Sequence, residues 1–70
     1  MPYHFPIKVG DRVALAPHHD LWMAGCRYGN VTRTGVAEAT GRRWHLVTLD
    51  TGREVALEES DLLGAVRRAG

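Results

Sequence analysis

The sequence predicts an all-β fold: a small barrel of five short strands, with a short helical turn before the last strand and a basic C-terminal tail. Three observations predict it. Eight glycines and three prolines are spread along 70 residues and cut the chain into short pieces bounded by turn signals. Several of those pieces alternate apolar and polar residues with the period of a half-buried strand. Two of them, residues 44–49 and 53–57, flank Asp50-Thr51-Gly52, a tight turn with glycine placed for a left-handed backbone.

The elements follow in order. Residues 1–8 form an N-terminal arm. The first strand is expected over residues 9–16, where Val13 and Leu15 alternate with Arg12, Ala14 and Ala16, and Pro17 ends it because proline cannot donate to a ladder. Residues 18–27 do not alternate and read as a long loop. Its Leu21, Trp22 and Met23 fold back onto the barrel, so the plain role of Trp22 is a lid on the core. The second strand runs from Tyr28 to about Arg33, with Gly29 permitting a bend or bulge. Residues 36–43 are either a wide hairpin loop or, over 36–39, a continuation of that strand past Gly35.

The third strand, Trp44-His45-Leu46-Val47-Thr48-Leu49, is rich in aromatic and β-branched residues. The fourth puts Val55 and Leu57 on one face and Glu54, Ala56 and Glu58 on the other. Residues 58–61 make a helical turn, and Leu62-Leu63 adds a final strand or a plug. That gives a barrel over 9–63 and a basic tail over 64–70 that frays. The expected core is Val13, Leu15, Val31, Leu46 or Val47, Leu49, Val55, Leu57, Leu62 and Trp22.

Val9-Gly10-Asp11-Arg12-Val13, then Gly25 and Tyr28-Gly29-Asn30-Val31, then Val47-Thr48-Leu49-Asp50-Thr51-Gly52 and Asp61-Leu62, resemble the KOW-type and Tudor-like members of the SH3-like small barrels. Such barrels open on a G-D-x-V strand, cross a loop, and close with a V-x-x-D-x-G hairpin and a helical turn ending in D-L. The resemblance covers residues 9–63 and implies the fold more than any one function. The segment from Pro17 through Asp20, Trp22-Met23 and Gly25 to Tyr28-Gly29 also resembles small barrels encoded by bacteriophages and prophages. Tudor domains read methylated side chains with an aromatic cage, for which Trp22, Tyr28 and Trp44 are the rings on offer. KOW modules usually carry more lysine than this chain, whose one lysine is Lys8. Plasmid-type dihydrofolate reductases share the G-D-R-V start, but their pore-lining V-Q-I-Y strand is replaced here by Glu54-Val55-Ala56-Leu57, so that activity is not carried over.

Composition narrows the function classes. Cys26 is the single cysteine, which excludes an internal disulfide and a cysteine-rich zinc site and fits a reducing, cytoplasmic setting. The first residues lack a basic region followed by an apolar run, and no apolar stretch approaches the roughly 20 residues that span a bilayer. Nine Lys and Arg stand against eight Asp and Glu, so only local clustering of charge can argue for a nucleic-acid partner. A chain this small has a thin core, which makes a homo-oligomer an open expectation.

No catalytic constellation is visible. His18-His19-Asp20 has metal-ligand residue types, but adjacent side chains on an extended chain diverge, so polar turn residues explain it and no metal is assigned. Cys26 beside Arg27 has the setting of a small buried apolar residue. Ser60 among acids suits a helix cap. The expectation is a non-enzymatic domain with no cofactor that binds a macromolecule.

Nucleic acid is the first choice. Arg12, Arg27, Arg33, Arg42, Arg43 and Arg53 can take outward positions on the first two strands and the hairpin tips, and Arg33, Arg42, Arg43 and Arg53 are the expected phosphate contacts, because guanidinium forks bind phosphate. Tyr28 and Trp44 can stack on bases. The geometric condition is that these four arginines share a face; dispersed arginines paired with Glu38, Glu54 and Glu58 would be ordinary sheet stabilisers. The alternative is a protein-interaction or homo-oligomerising module that uses the loop residues Leu21, Trp22 and Met23.

Overall fold

A computed structural model describes residues 3–66. The chain forms β1 (Tyr3–His4), β2 (Arg12–Leu15), the short helix α1 (Asp20–Met23), β3 (Tyr28–Val36), β4 (Arg43–Leu49), β5 (Glu54–Glu58), a 3-10 turn (Glu59–Asp61) and β6 (Leu62–Val66). The six strands make one sheet in the order β1-β6-β2-β3-β4-β5, with every neighbouring pair antiparallel. The protein is mostly β, as expected. The sheet has six strands rather than five, and it is open, with β1 and β5 at its edges.

The sixth strand arises from both ends of the chain. Tyr3 lies opposite Val66 and His4 opposite Ala65, so residues of the arm pair with residues of the expected tail. The last strand therefore extends past Leu62-Leu63 to Val66, and the sheet takes in residues on both sides of 9–63. Arg67, Arg68, Ala69 and Gly70 lie outside the described residues.

The first long strand starts at Arg12, not Val9. The Lys8 carbonyl accepts from Asp11 N–H (3.0 Å), and the Asp11 carboxylate accepts from Lys8 N–H (2.9 Å). This doubly closed turn holds Val9 in solvent, 61% exposed.

The expected loop contains one helical turn. His19 Nδ1 accepts from Leu21 N–H (3.1 Å), capping α1, and Asp20 adds a favourable negative charge in the first turn. Gly25, at φ +97°, ends it: Gly25 N–H donates to Trp22 O and Cys26 N–H to Leu21 O, the paired bonds of a Schellman stop. Leu21, Trp22 and Cys26 are thereby packed against the core.

β3 runs through Gly35 to Val36, so of the two alternatives for residues 36–43 the strand does continue past Gly35, ending at Val36 rather than 39. Its bulge falls between Val31 and Arg33 rather than at Gly29. Trp44 sits directly opposite Gly35, and a Cβ at position 35 would overlap the Trp44 ring. Glycine is what lets that ring lie across β3. The 3-10 turn is capped by Glu58, whose N–H donates to the Asp61 carboxylate (3.2 Å). Ser60 occupies the middle of the turn, not its cap.

The core is Ile7, Val13, Leu15, Val31, Val47, Leu49, Leu57, Leu62 and Ala65, with Trp22 and Val55 partly buried against it. Of the pair Leu46 and Val47, Val47 is the one inside. That choice fixes the rest of β4: His45, Val47 and Leu49 share the inner face because strand side chains alternate. His45, Ile7 and Ala65 were not among the expected core residues, and all three are fully buried.

Candidate nucleic-acid interface

The four expected arginines do not share a face. Arg33 lies opposite Leu46, so it stands on the outer face of β3 and β4, the same face as Trp44. Arg42, in the loop before β4, places its guanidinium 3.4 Å from the Glu58 carboxylate. Arg43 follows Arg42 by one residue and lies opposite Val36, on the other face from Trp44. It is half-buried, and its Nη2 donates to the Ile7 carbonyl (3.1 Å). Arg53 follows the 50–52 turn, at the opposite end of the β4–β5 hairpin, where its carbonyl accepts from Leu49 N–H. Tyr28 is at that end too, its carbonyl accepting from Asp50 N–H (3.1 Å). Trp44 and Tyr28 are thus separated along the sheet.

Two other arginines meet aromatic rings. The Arg27 guanidinium lies 4.1 Å from the centre of the Trp22 ring, and that of Arg12 lies 5.2 Å from the centre of Tyr28. Arg12 also forms a two-pronged bond with the Asp50 carboxylate at 3.0 and 2.6 Å. That hydrogen bond raises the Arg12 pKa above its ordinary value and lowers that of Asp50. Both groups are therefore charged at any physiological pH. Trp22, Arg27 and Tyr28 line one cleft of about 270 Å³, together with Tyr3, Ala14, Leu15, Pro17 and Leu63.

The local sequence explains this cleft. Ala14 in the middle of β2 has Tyr28 directly opposite on β3 and Gly64 directly opposite on β6. Two small residues side by side leave a depression in the sheet. Tyr28 borders it on one side, and Tyr3, which approaches Gly64, borders it on the other. The Schellman stop at Gly25 then carries Trp22 and Arg27 to its rim. Arg27 is the one charged residue among the lining residues, and no carboxylate is among them.

A second cleft, about 440 Å³, lies at the other end of the β4–β5 hairpin, lined by Gly41, Arg42, Arg43, Glu58, Glu59 and Ser60. It carries both signs of charge in equal number. His45 is buried nearby with its Nε2 3.9 Å from a Glu59 oxygen, and neither ring nitrogen has a hydrogen-bond partner among the described residues. Burial pushes the His45 pKa below the usual histidine value; the Glu59 carboxylate opposes that shift and Arg43 adds to it. The imidazole is neutral at pH 7.

The expected contact loop is divided. Leu21 and Trp22 are half-buried against the core, while Met23 is 76% exposed. His19 serves as the α1 cap, and among the described residues no three His, Cys, Asp or Glu side chains gather closely enough to hold a metal ion. No helix among them is long and apolar enough to cross a membrane. No protein-family model, curated protein or solved structure matches the chain.

Arg12 and Arg27 were among the outward arginines the sequence offered; their meeting with Tyr28 and Trp22, and the place of Tyr3 beside Gly64, were not legible. Arg12 meets Tyr28 through the β2–β3 register and Tyr3 reaches Gly64 through the β1–β6 pairing, while Arg27 meets Trp22 across the stop that ends α1. One signal was available in the sequence: Arg42 and Arg43 are adjacent on an extended segment, and adjacent side chains there point to opposite faces.

Proposed function

We propose that the protein is a non-enzymatic SH3-like barrel that binds nucleic acid through the face formed by the Arg27–Trp22 and Arg12–Tyr28 stacks. The barrel reading is supported by connectivity. The chain meanders through β2, β3, β4 and β5, turns at Glu59–Asp61, and returns as β6 beside β2. Pairing the last strand with the first of the meander is the contact that curls a sheet toward closure. The turn also ends on Asp61-Leu62, where the family resemblance places it.

One observation carries the binding reading: two arginine–aromatic stacks border a cleft whose lining holds no carboxylate. Aromatic rings offer sequence-tolerant stacking for bases, and arginine offers phosphate a planar fork. Arg42 and Arg43 are engaged with Glu58 and Ile7, which disfavours them as the phosphate contacts. The experiment is fluorescence polarisation with labelled oligonucleotides over a salt series. Binding at low salt that weakens with a log–log slope of roughly −1 to −2, as expected for one or two neutralised phosphates, supports the reading. Arg27→Glu abolishes it, whereas Arg42→Glu with Arg43→Glu leaves it within about twofold.

The exposure of Met23 and of Phe5 (55%) favours a second reading, a protein-interaction or self-associating module. Absence of oligonucleotide binding at low salt, with a solution mass at two or more whole multiples of 7.8 kDa, moves the assignment there.

A further inference from the structure

We infer that the 270 Å³ cleft receives one unstacked base, so that the protein selects single-stranded nucleic acid over duplex. This rests on the nucleic-acid reading and deepens it. The cleft is smaller than the roughly 300–1,000 Å³ of pockets that enclose drug-sized ligands, which suits one planar heteroaromatic ring rather than a base pair. Its walls are rings and apolar groups: Tyr3, Trp22, Tyr28 and Leu63. An aromatic wall without a carboxylate accepts the π-face of any base and repels none of the phosphates beside it.

The cations fit the same occupant. The Arg27 guanidinium lies over the Trp22 ring, 4.1 Å from its centre, and its planar fork can take a phosphate next to the inserted base. No ion pair involves Arg27 among the described residues. The Arg12 fork is already filled by Asp50, so Arg12 supplies cation–π support to Tyr28 more than a phosphate contact. One open fork is a weak electrostatic footing for a duplex, whose affinity depends on many phosphates at once. A duplex also keeps its bases inside the stack, where a recessed cleft cannot reach them, whereas a single strand can splay one out. The site therefore draws its affinity from stacking and shows little preference among bases.

Three labelled probes of equal length test this at low salt on the unaltered chain: oligo(dT), a strand of abasic residues with the same backbone charge, and a duplex. The expected result is oligo(dT) bound at least tenfold tighter than either of the others. In Trp44→Phe, which leaves Trp22 as the sole tryptophan, at the other end of the sheet from the substitution, oligo(dT) quenches the emission and the abasic strand does not. Tyr28→Ala weakens oligo(dT) by about 5- to 150-fold, the range expected for losing one stacked base. Equal affinity for the abasic strand or the duplex overturns the inference and leaves nucleic-acid binding standing. Failure of all three probes to bind overturns the nucleic-acid reading itself.

Discussion

The two ends of this sheet use the same residue type to different effect. At the Tyr28 end, arginine meets an aromatic ring: Arg27 on Trp22 and Arg12 on Tyr28, around a cleft lined by small and apolar residues. At the Trp44 end, arginine meets what already satisfies it: Arg42 the Glu58 carboxylate and Arg43 the Ile7 carbonyl, above a buried neutral His45. Tryptophan divides the same way. Trp22 carries a cation on its ring, while Trp44 is spread across the bare backbone of Gly35. A composition with eight arginines and two tryptophans cannot separate a surface free to bind from a surface already paired. The partners do.

That contrast can be broken by substitution. The largest effect is expected at Gly35. A side chain there collides with the Trp44 ring, so Gly35→Val should cost about 1–3 kcal/mol in denaturant unfolding, the range for overpacking. Combining it with Trp44→Ala should recover part of that loss, and strict additivity would show that the two residues do not share the space. Neither change should alter oligonucleotide affinity by more than about twofold, because the proposed interface is at the other end of the sheet.

Tyr28→Ala is the mirror experiment. The ring is 40% exposed, so affinity should fall by about 1–3 kcal/mol while unfolding changes little. A large stability loss with unchanged affinity would make Tyr28 a packing residue instead.

The pH dependence of stability sharpens the Trp44 end. The folded-state pKa of His45 is lowered by burial, so below the ordinary histidine value of about 6.5 the unfolded chain binds the extra proton and the folded chain does not. Stability contributed by His45 is complete above pH about 6.5 and is lost as pH falls into the acid range. The slope from this one group is at most about 1.4 kcal/mol per pH unit. Urea midpoints measured between pH 7.5 and 5 should fall, and His45→Leu should flatten that part of the profile. The smallest effect is at Arg42. Its pair with Glu58 is solvent-exposed, so Arg42→Ala should shift stability by less than about 0.5 kcal/mol.

What the sequence made legible is local. The β4–β5 hairpin was readable because alternation, β-branched residues and the Asp50-Thr51-Gly52 turn all lie within fifteen residues and agree. The alternation in β2 likewise marked Val13 and Leu15 as core. Features that depend on distant partners were not readable. β1 is two residues long and exists because it pairs with Ala65 and Val66, at the other end of the chain. The cleft exists because Ala14 is flanked by Tyr28 and Gly64, a register that no local window contains. α1 lay between these cases. Asp20 before Leu21-Trp22-Met23 and Gly25 just beyond were start and stop signals, but four residues give a periodicity too short to recognise.

The face itself can be located directly. Backbone amide shifts of isotope-labelled protein, followed while unlabelled oligo(dT) is added at low salt, report which residues the strand touches. The arginine–aromatic account predicts that the largest shifts fall on Tyr3, Trp22, Arg27, Tyr28 and Leu63, with the 41–43 and 58–60 segments still. Shifts confined to those two segments, or no shifts at all, would contradict it.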